Sequence, residues 1–261
     1  MSAPVAIGQQ LSMLKQNKFI KVYLDLVLTS TYVCSQLKDY DSGNVIQRER
    51  LDYEKISDAS LLLPKIKKIL EIINIDFYNV VEPKFIFDNN YYIFVPDSLY
   101  IKGKEKTFLK FNVGLESDDY VTTDSIEKLN IYNIYLPYVN INNYLIEKFK
   151  KLEFYHYNTV LINKIVSVNN SDSCHCFIEN TDLKILIIEN GEIFYFNSFS
   201  YKTLDDILYY TLLIINDKSF KNKNIPINIH AGKKNDEIKV KFNNFIKNIS
   251  VIKNNNFAQV L

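Results

Sequence analysis

Residues 19–53 read FIKVYLDLVL (19–28), TST (29–31), YVCSQLK (32–38), DYDSGN (39–44) and VIQRERLDY (45–53). The first run is rich in β-branched and aromatic residues and is a predicted strand. Thr29-Ser30-Thr31 is a short polar turn and Tyr32 to Lys38 a second strand. Tyr40-Asp41-Ser42-Gly43 supplies turn chemistry, and Val45 to Tyr53 forms a third strand. A helix follows, because Ile66, Ile69, Leu70 and Ile73 recur at helical spacing with Lys65, Lys67, Lys68 and Glu71 around the other face. Pro64 is tolerated only in a first turn, so that helix is expected to begin near Leu61. Val80 to Phe87 and Tyr91 to Val95 are two more strands, joined at Asp88-Asn89-Asn90.

The same order returns at Cys174. Cys174 to Glu179 is a strand, Asn180-Thr181-Asp182 a turn, and Leu183 to Glu189 a second strand. Asn190-Gly191 is the strongest hairpin signal in the chain, since a type I′ turn needs positive φ at both central residues. Glu192 to Tyr201 is the third strand. A helix starts at Thr203, with Asp206 in a capping-box arrangement. Its composition is apolar nearly all round, which predicts burial. Ile225 to His230 is a strand. Ile238, Phe242, Phe245, Ile246 and Ile249 mark another helix, and Ser250 to Lys253 a last strand. Between the repeats lie a strand (Ile131 to Tyr138) and a helix carrying Ile141, Tyr144, Leu145, Phe149 and Leu152. A strand (Phe154 to Tyr157) and a short helix (Thr159 to Val168) follow.

Three hairpin-linked strands followed by crossover helices imply a mixed sheet flanked by helices, twice over. The expected organisation is an N-terminal arm over 1–18, an N-terminal lobe over 19–170 and a C-terminal lobe over 171–261, with a cleft between the lobes.

Composition sets the limits on function. The 261 residues carry 31 Lys and Arg against 30 Asp and Glu, a net charge of +1. That balance provides no field for polyanions and argues against a dedicated nucleic-acid binder. With 47% hydrophobic residues, 6 Gly and 6 Pro, the chain has globular composition. Cys34, Cys174 and Cys176 are too sparse for a disulfide framework, which points to a reducing cytoplasm. Met1 to Gly8 lacks the charge and apolar pattern of a signal peptide. The run Tyr209 to Ile215 is far short of the ~20 residues that span a bilayer, so no integral membrane segment is expected.

Several strings resemble a bacterial family, domain of unknown function 3822. They are Phe94-Val95-Pro96-Asp97-Ser98-Leu99-Tyr100, Phe108-Leu109-Lys110-Phe111-Asn112, Tyr155-His156-Tyr157-Asn158-Thr159, and the long run from Phe196 to Tyr210. They occur in the family's order, and the similarity extends from about Phe19 to the C-terminus. The resemblance implies an actin-like ATPase (ribonuclease H-like) fold, with two similar lobes, and no established activity.

In actin-like ATPases, phosphates sit between two hairpin turns built around Asp and Gly, because backbone N–H groups must approach phosphate oxygens without a Cβ in the way. A third, Gly-rich segment receives the adenosine. The corresponding residues here are Asp25 with Thr29, Ser30 and Thr31; Glu179, Asn180, Thr181 and Asp182; and Gly232 with Lys233 in His230-Ala231-Gly232-Lys233-Lys234. Glycine is missing from both turns, and one of two is missing from the third segment. The leading expectation is therefore a cytoplasmic scaffold or adaptor that binds a protein partner, with a decayed nucleotide site and no cofactor. The alternative is a divergent switch that binds Mg-ATP through those residues.

Other groups receive plainer readings. Cys174-His175-Cys176 lies on a strand, so the thiols share one face and His175 takes the other; no second ligand pair exists for zinc. Asp205-Asp206 complements a helix N-terminus. Asp118, Asp119 and Asp124 are expected in a solvated loop. His156 is expected to be a hydrogen-bonded structural residue. Lys218, Lys221, Lys223, Lys233, Lys234, Lys239 and Lys241 make the C-terminal lobe locally positive.

Overall fold

A computed structural model of the chain describes residues 20–168, 171–217, 225–232, 235–253 and 260–261. The expected N-terminal arm, Lys218, Lys221 and Lys223, and Lys233 and Lys234 lie outside the described residues. The chain divides into two compact units, one formed by residues up to 126 with 130–160 and 261, the other by 127–129 and 161–260.

In the first unit, β1 (Lys21–Leu28), β2 (Tyr32–Asp39) and β3 (Val45–Asp52) form an antiparallel meander. Helix α1 (Leu63–Ile72) follows, with Pro64 in its first turn; a short 3-10 turn over Ala59–Leu62 takes the residues where the helix was expected to begin. The chain then returns as β4 (Asn79–Phe87), parallel to β1. Glu82 has φ of 48° at the register shift in β4, and this bulge accommodates Pro83 in an interior strand. An insertion comes next: β5 (Tyr92–Pro96), α2 (Glu105–Leu109), β6 (Thr122–Ile126) and β7 (Ile131–Tyr135). Helix α3 (Val139–Phe149) and β8 (Glu153–His156) complete the main sheet, whose order is β3-β2-β1-β4-β8.

Alternation along β1 builds the core. Val22, Leu24, Leu26 and Leu28 point to one face, where Ile66, Ile69 and Leu70 of α1 and Ile141 and Leu145 of α3 cover them. β4 and β5 are joined at Asp88-Asn89-Asn90 as expected but do not pair with each other: β5 pairs with β7 in a separate three-stranded sheet, β5-β7-β6.

Helix α4 (Tyr157–Val168) runs from the first unit into the second. There, β9 (Ser173–Ile178), β10 (Asp182–Glu189) and β11 (Glu192–Ser200) form the second meander. Asn190 and Gly191 have φ of 55° and 78°, so both central residues of that turn are left-handed as the sequence requires. Helix α5 (Leu204–Ile215), β12 (Ile227–Ala231), α6 (Asn235–Asn243) and β13 (Ile249–Lys253) follow. The sheet order is β11-β10-β9-β12-β13, strand for strand that of the first unit. Cys174, Cys176, Leu183, Ile185 and Ile187 meet Ile207, Leu208, Ile238 and Phe242 in its core.

Two expectations for these helices change. Tyr209 is 60% and Leu213 51% exposed, because α5 lies on one face of a sheet and only the side bearing Ile207, Leu208 and Thr211 is buried. Phe245 is exposed beyond the end of α6, and Ile249 is the first residue of β13.

The capping box forms at α5. Thr203 Oγ1 accepts the Asp206 N–H at 3.2 Å, and the Asp206 carboxylate accepts the N–H groups of Thr203 and Lys202, each at 2.9 Å. These bonds hold the carboxyl of Asp206 below its ordinary range. Thr203→Ala is expected to lower stability by about 1 kcal/mol in denaturant titration, with Thr203→Ser retaining most of it.

Candidate functional site

The C-terminal ends of parallel strands in α/β sheets are where ligands bind, and each sheet here ends there in a turn. In the first unit, the turn after β1 is closed from within. The Thr29 N–H donates to the Tyr32 carbonyl at 2.9 Å, and Thr29 Oγ1 accepts the N–H groups of Thr31 and Tyr32, each at 3.1 Å. The carbonyls are also engaged: Ser30 accepts the Ile56 N–H at 2.8 Å and Thr31 the Tyr53 N–H at 2.9 Å. The Tyr53 hydroxyl then donates to the Thr29 carbonyl at 2.9 Å.

The second unit repeats this fastening. The Glu179 N–H donates to the Asp182 carbonyl and the Tyr201 N–H to the Thr181 carbonyl, each at 3.0 Å, while the Tyr201 hydroxyl donates to the Glu179 carbonyl at 2.5 Å. The Asp182 carboxylate accepts the hydroxyls of Thr181 at 2.8 Å and Ser200 at 2.9 Å. Parallel pairing of Ala231 with Ile178 brings Gly232 to the same end of the sheet as Glu179. Lys233 lies outside the described residues. Burial pushes the phenol of Tyr53 up and that of Tyr201 to about 12. Both therefore remain donors at neutral pH.

Asp25 lies on β1, directly across from Gln36 of β2. Its buried carboxylate accepts Lys38 Nζ at 2.6 Å, and Gln36 Nε2 is 3.5 Å away. Gln36 Oε1 in turn accepts Arg48 Nε at 2.6 Å, and the Arg50 guanidinium sits 3.7 Å from the centre of the Tyr32 ring. The structure thus groups Asp25, Thr29, Ser30 and Thr31 along β1 and its turn in one unit, and Glu179, Asn180, Thr181, Asp182 and Gly232 at one sheet end in the other.

A buried polar cluster in the first unit went unread in the sequence. Asp124 is not in a solvated loop: it is buried on β6, where it accepts the Tyr135 hydroxyl at 2.7 Å and the His156 N–H at 2.8 Å. Burial raises its carboxyl above the ordinary range, and these bonds oppose the rise. His156 is buried with both ring nitrogens engaged: Nδ1 accepts the Asn158 N–H at 3.2 Å, and Nε2 lies 3.2 Å from the Asn89 carbonyl. That arrangement fixes the ring as a structural element. Asn133 joins the cluster by donating to Thr159 Oγ1 at 2.9 Å.

In the second unit Cys174 and Cys176 are core residues, and His175 takes the opposite face, as alternation requires. There His175 Nδ1 meets His230 Nε2 at 3.0 Å, Ser173 Oγ lies 3.1 Å from His175 Nε2, and Phe177 stacks on His230 at 4.5 Å. Among the described residues, no group of three His, Cys, Asp or Glu side chains is placed to hold a metal ion. Of the basic run, the described Lys241 pairs with Asp205 at 2.6 Å.

The profile of a protein family of unknown function, DUF3822, matches residues 16–249. The chain belongs to this family. A solved structure from Bacteroides thetaiotaomicron, described as a protein with actin-like ATPase fold and unknown function, superposes on the DUF3822 chain with a TM-score of 0.72. It is 18% identical, and the match covers 89% of this chain and 92% of that one. The likeness shows the fold: this is an actin-like ATPase fold, mixed α/β with sheets flanked by helices. Ethanolamine utilization protein EutJ from Carboxydothermus hydrogenoformans matches at TM-score 0.48 and 9% identity, over 95% of this chain and 93% of its own. The cytoplasmic domain of EpsL of Vibrio cholerae matches at TM-score 0.45 and 7% identity, over 80% and 81%. No curated protein compared with the DUF3822 chain matches it. Among its described residues, no helix is long and apolar enough to cross a membrane.

Two predictions follow from these contacts. Tyr53→Phe and Tyr201→Phe each remove one donor to a turn carbonyl and are expected to cost about 1 kcal/mol, with faster amide exchange confined to the 29–32 or 179–182 turn. Burial lowers His175 to about 4; burial first, then His175 and Lys164, lowers His230 to about 3. Unfolded histidines bind protons from about pH 6.5, so the unfolded state takes up more protons below that value. Stability contributed by the neutral pair is thus complete above about pH 6.5 and declines toward pH 3. In denaturation against pH, the difference between wild type and His230→Asn should shrink across that window.

Proposed function

We propose that this DUF3822 protein is a non-catalytic scaffold or adaptor of actin-like fold, working in the cytoplasm by holding a protein partner, with a degenerate nucleotide site. The observation that carries this reading is the use already made of the turn donors. A phosphate-binding turn works by presenting backbone N–H groups to the anion. Here the N–H groups of Thr29, Thr31, Tyr32 and Glu179 are all bonded inside their own turns. Asp25, the residue that would orient water around Mg²⁺ in the alternative reading, is held by Lys38 at 2.6 Å. These residues fit Mg-ATP poorly.

The absence of glycine from both turns supports the same reading. In the first turn a side-chain oxygen takes the place a phosphate oxygen would need as an acceptor of turn N–H groups. Thr29 Oγ1 is such a surrogate in the first unit, and the Asp182 carboxylate gathers hydroxyls in the second. A turn carrying its own acceptor is satisfied without a ligand.

Thermal melting with and without millimolar Mg-ATP tests the reading. A ligand at a hundred times its Kd adds ~2.7 kcal/mol to the folded state, roughly 5–10 °C for a chain of this size. No displacement of the midpoint is expected. A shift in that range would overturn the scaffold reading in favour of an ATP-binding switch.

A further inference from the structure

The hairpin between β10 and β11 is weakly closed at its tip. Glu189 pairs directly with Glu192 across the two-residue turn, and like charges opposite each other on a ladder are destabilising. Behind them stands the pair Ile188 with Ile193, and then the register shifts, because β11 carries an extra residue at Phe194. The tip is therefore two residue pairs long and set off from the rest of the ladder by a bulge. Asp172 ties it down, its Oδ1 accepting the Asn190 N–H at 2.7 Å, but brings a third carboxylate to the turn.

Asn190 is exposed at this tip. Among the described residues, neither its side-chain amide nor the N–H of Gly191 forms a hydrogen bond. Gly191, at φ of 78°, has no Cβ to crowd its nitrogen. Asn197 of β11 is also exposed, yet its amide oxygen accepts the N–H of the next residue, Ser198, at 2.8 Å, and that next residue carries a side chain. Asparagine is a chemically labile residue, and these two positions differ in whether the neighbouring nitrogen is accessible.

We propose that the fold singles out Asn190 as a site of spontaneous covalent modification, converted to aspartate and isoaspartate as the tip opens. The closed turn fixes the backbone of both residues at positive φ, so the reaction runs from the opened tip. The Gly191 nitrogen loses its proton and attacks the Asn190 amide carbon. A C–N bond forms, the Cγ–Nδ2 bond breaks, and ammonia leaves carrying that proton. Water then opens the cyclic imide at either carbonyl, and nothing is oxidised or reduced. Aspartate keeps the backbone and adds a carboxylate to a turn that already has Glu189, Glu192 and Asp172. Isoaspartate lengthens the backbone by one methylene, and a loop whose length sets Glu189 against Glu192 then loses its register.

Peptide mapping by mass spectrometry tests this on the full chain, held folded at mildly alkaline pH beside a urea-unfolded sample. The segment 185–202, bounded by Lys184 and Lys202, contains both Asn190 and Asn197. Position 190 is expected to gain the mass of an amide exchanged for an acid, to take up one heavy oxygen from labelled water, and to become a substrate for protein isoaspartyl methyltransferase. Asn197 is expected to stay intact. The isoaspartate fraction should show faster amide exchange confined to 188–193. An Asn190 that survives in the folded chain while the unfolded chain is converted overturns the proposal, because the tip then does not open. Conversion of Asn197 at an equal rate overturns it as well, because the fold then selects no site.

Discussion

A strand that is antiparallel to one neighbour and parallel to the other constrains everything around it. β1 is such a strand, between β2 and β4, and β9 is another, between β10 and β12. The antiparallel side needs only a tight turn, whereas the parallel side requires the chain to cross over, which α1 and α5 do. Central strands so placed are covered on both faces, and β1 is buried along nearly all of its length. Asp25 can occupy that strand because Lys38 neutralises it from the adjacent one.

The two units share more than strand order. In each, a tyrosine at the end of the third strand donates its N–H to one turn carbonyl and its hydroxyl to another two residues earlier in the chain: Tyr53 to Thr31 and Thr29, Tyr201 to Thr181 and Glu179. A meander places its third strand's end beside its first turn whatever the sequence, and a phenol at that point reaches the turn carbonyl. The turns differ in composition, yet the fastening is the same. The repeat is thus visible in hydrogen bonds as well as in strand order.

The first unit departs from the repeat through its insertion, and there sequence reading was weakest. β6 reads Thr-Thr-Asp-Ser-Ile, a polar string with the composition of a loop, and only pairing with β7 makes it a strand that buries Asp124. Tyr91 to Val95 was legible as a strand, but its partner was not, because neighbours in sequence are the default partners and here β7 displaced β4. The α5 composition suggested burial all round; a helix lying on one face of a sheet leaves Tyr209 and Leu213 outside. The capping box at Thr203 and the Asn190-Gly191 turn were legible because each depends on residues at most three apart.

What the sequence alone determined is what local periodicity can encode: two meanders, their crossover helices, the hairpin at Asn190-Gly191, and opposite faces for His175 and its flanking cysteines. Alternation with period 2 and recurrence near 3.6 act over a few residues, so a single chain reveals them. Tertiary structure decided the contacts between distant residues. His175 and His230, 55 residues apart, meet only because β9 and β12 pair in parallel. Asp124 reaches the His156 backbone across 32 residues, and Tyr53 reaches Thr29 across 24. Such contacts follow from strand register, and register is set by the whole sheet and its covering helices, not by any one segment.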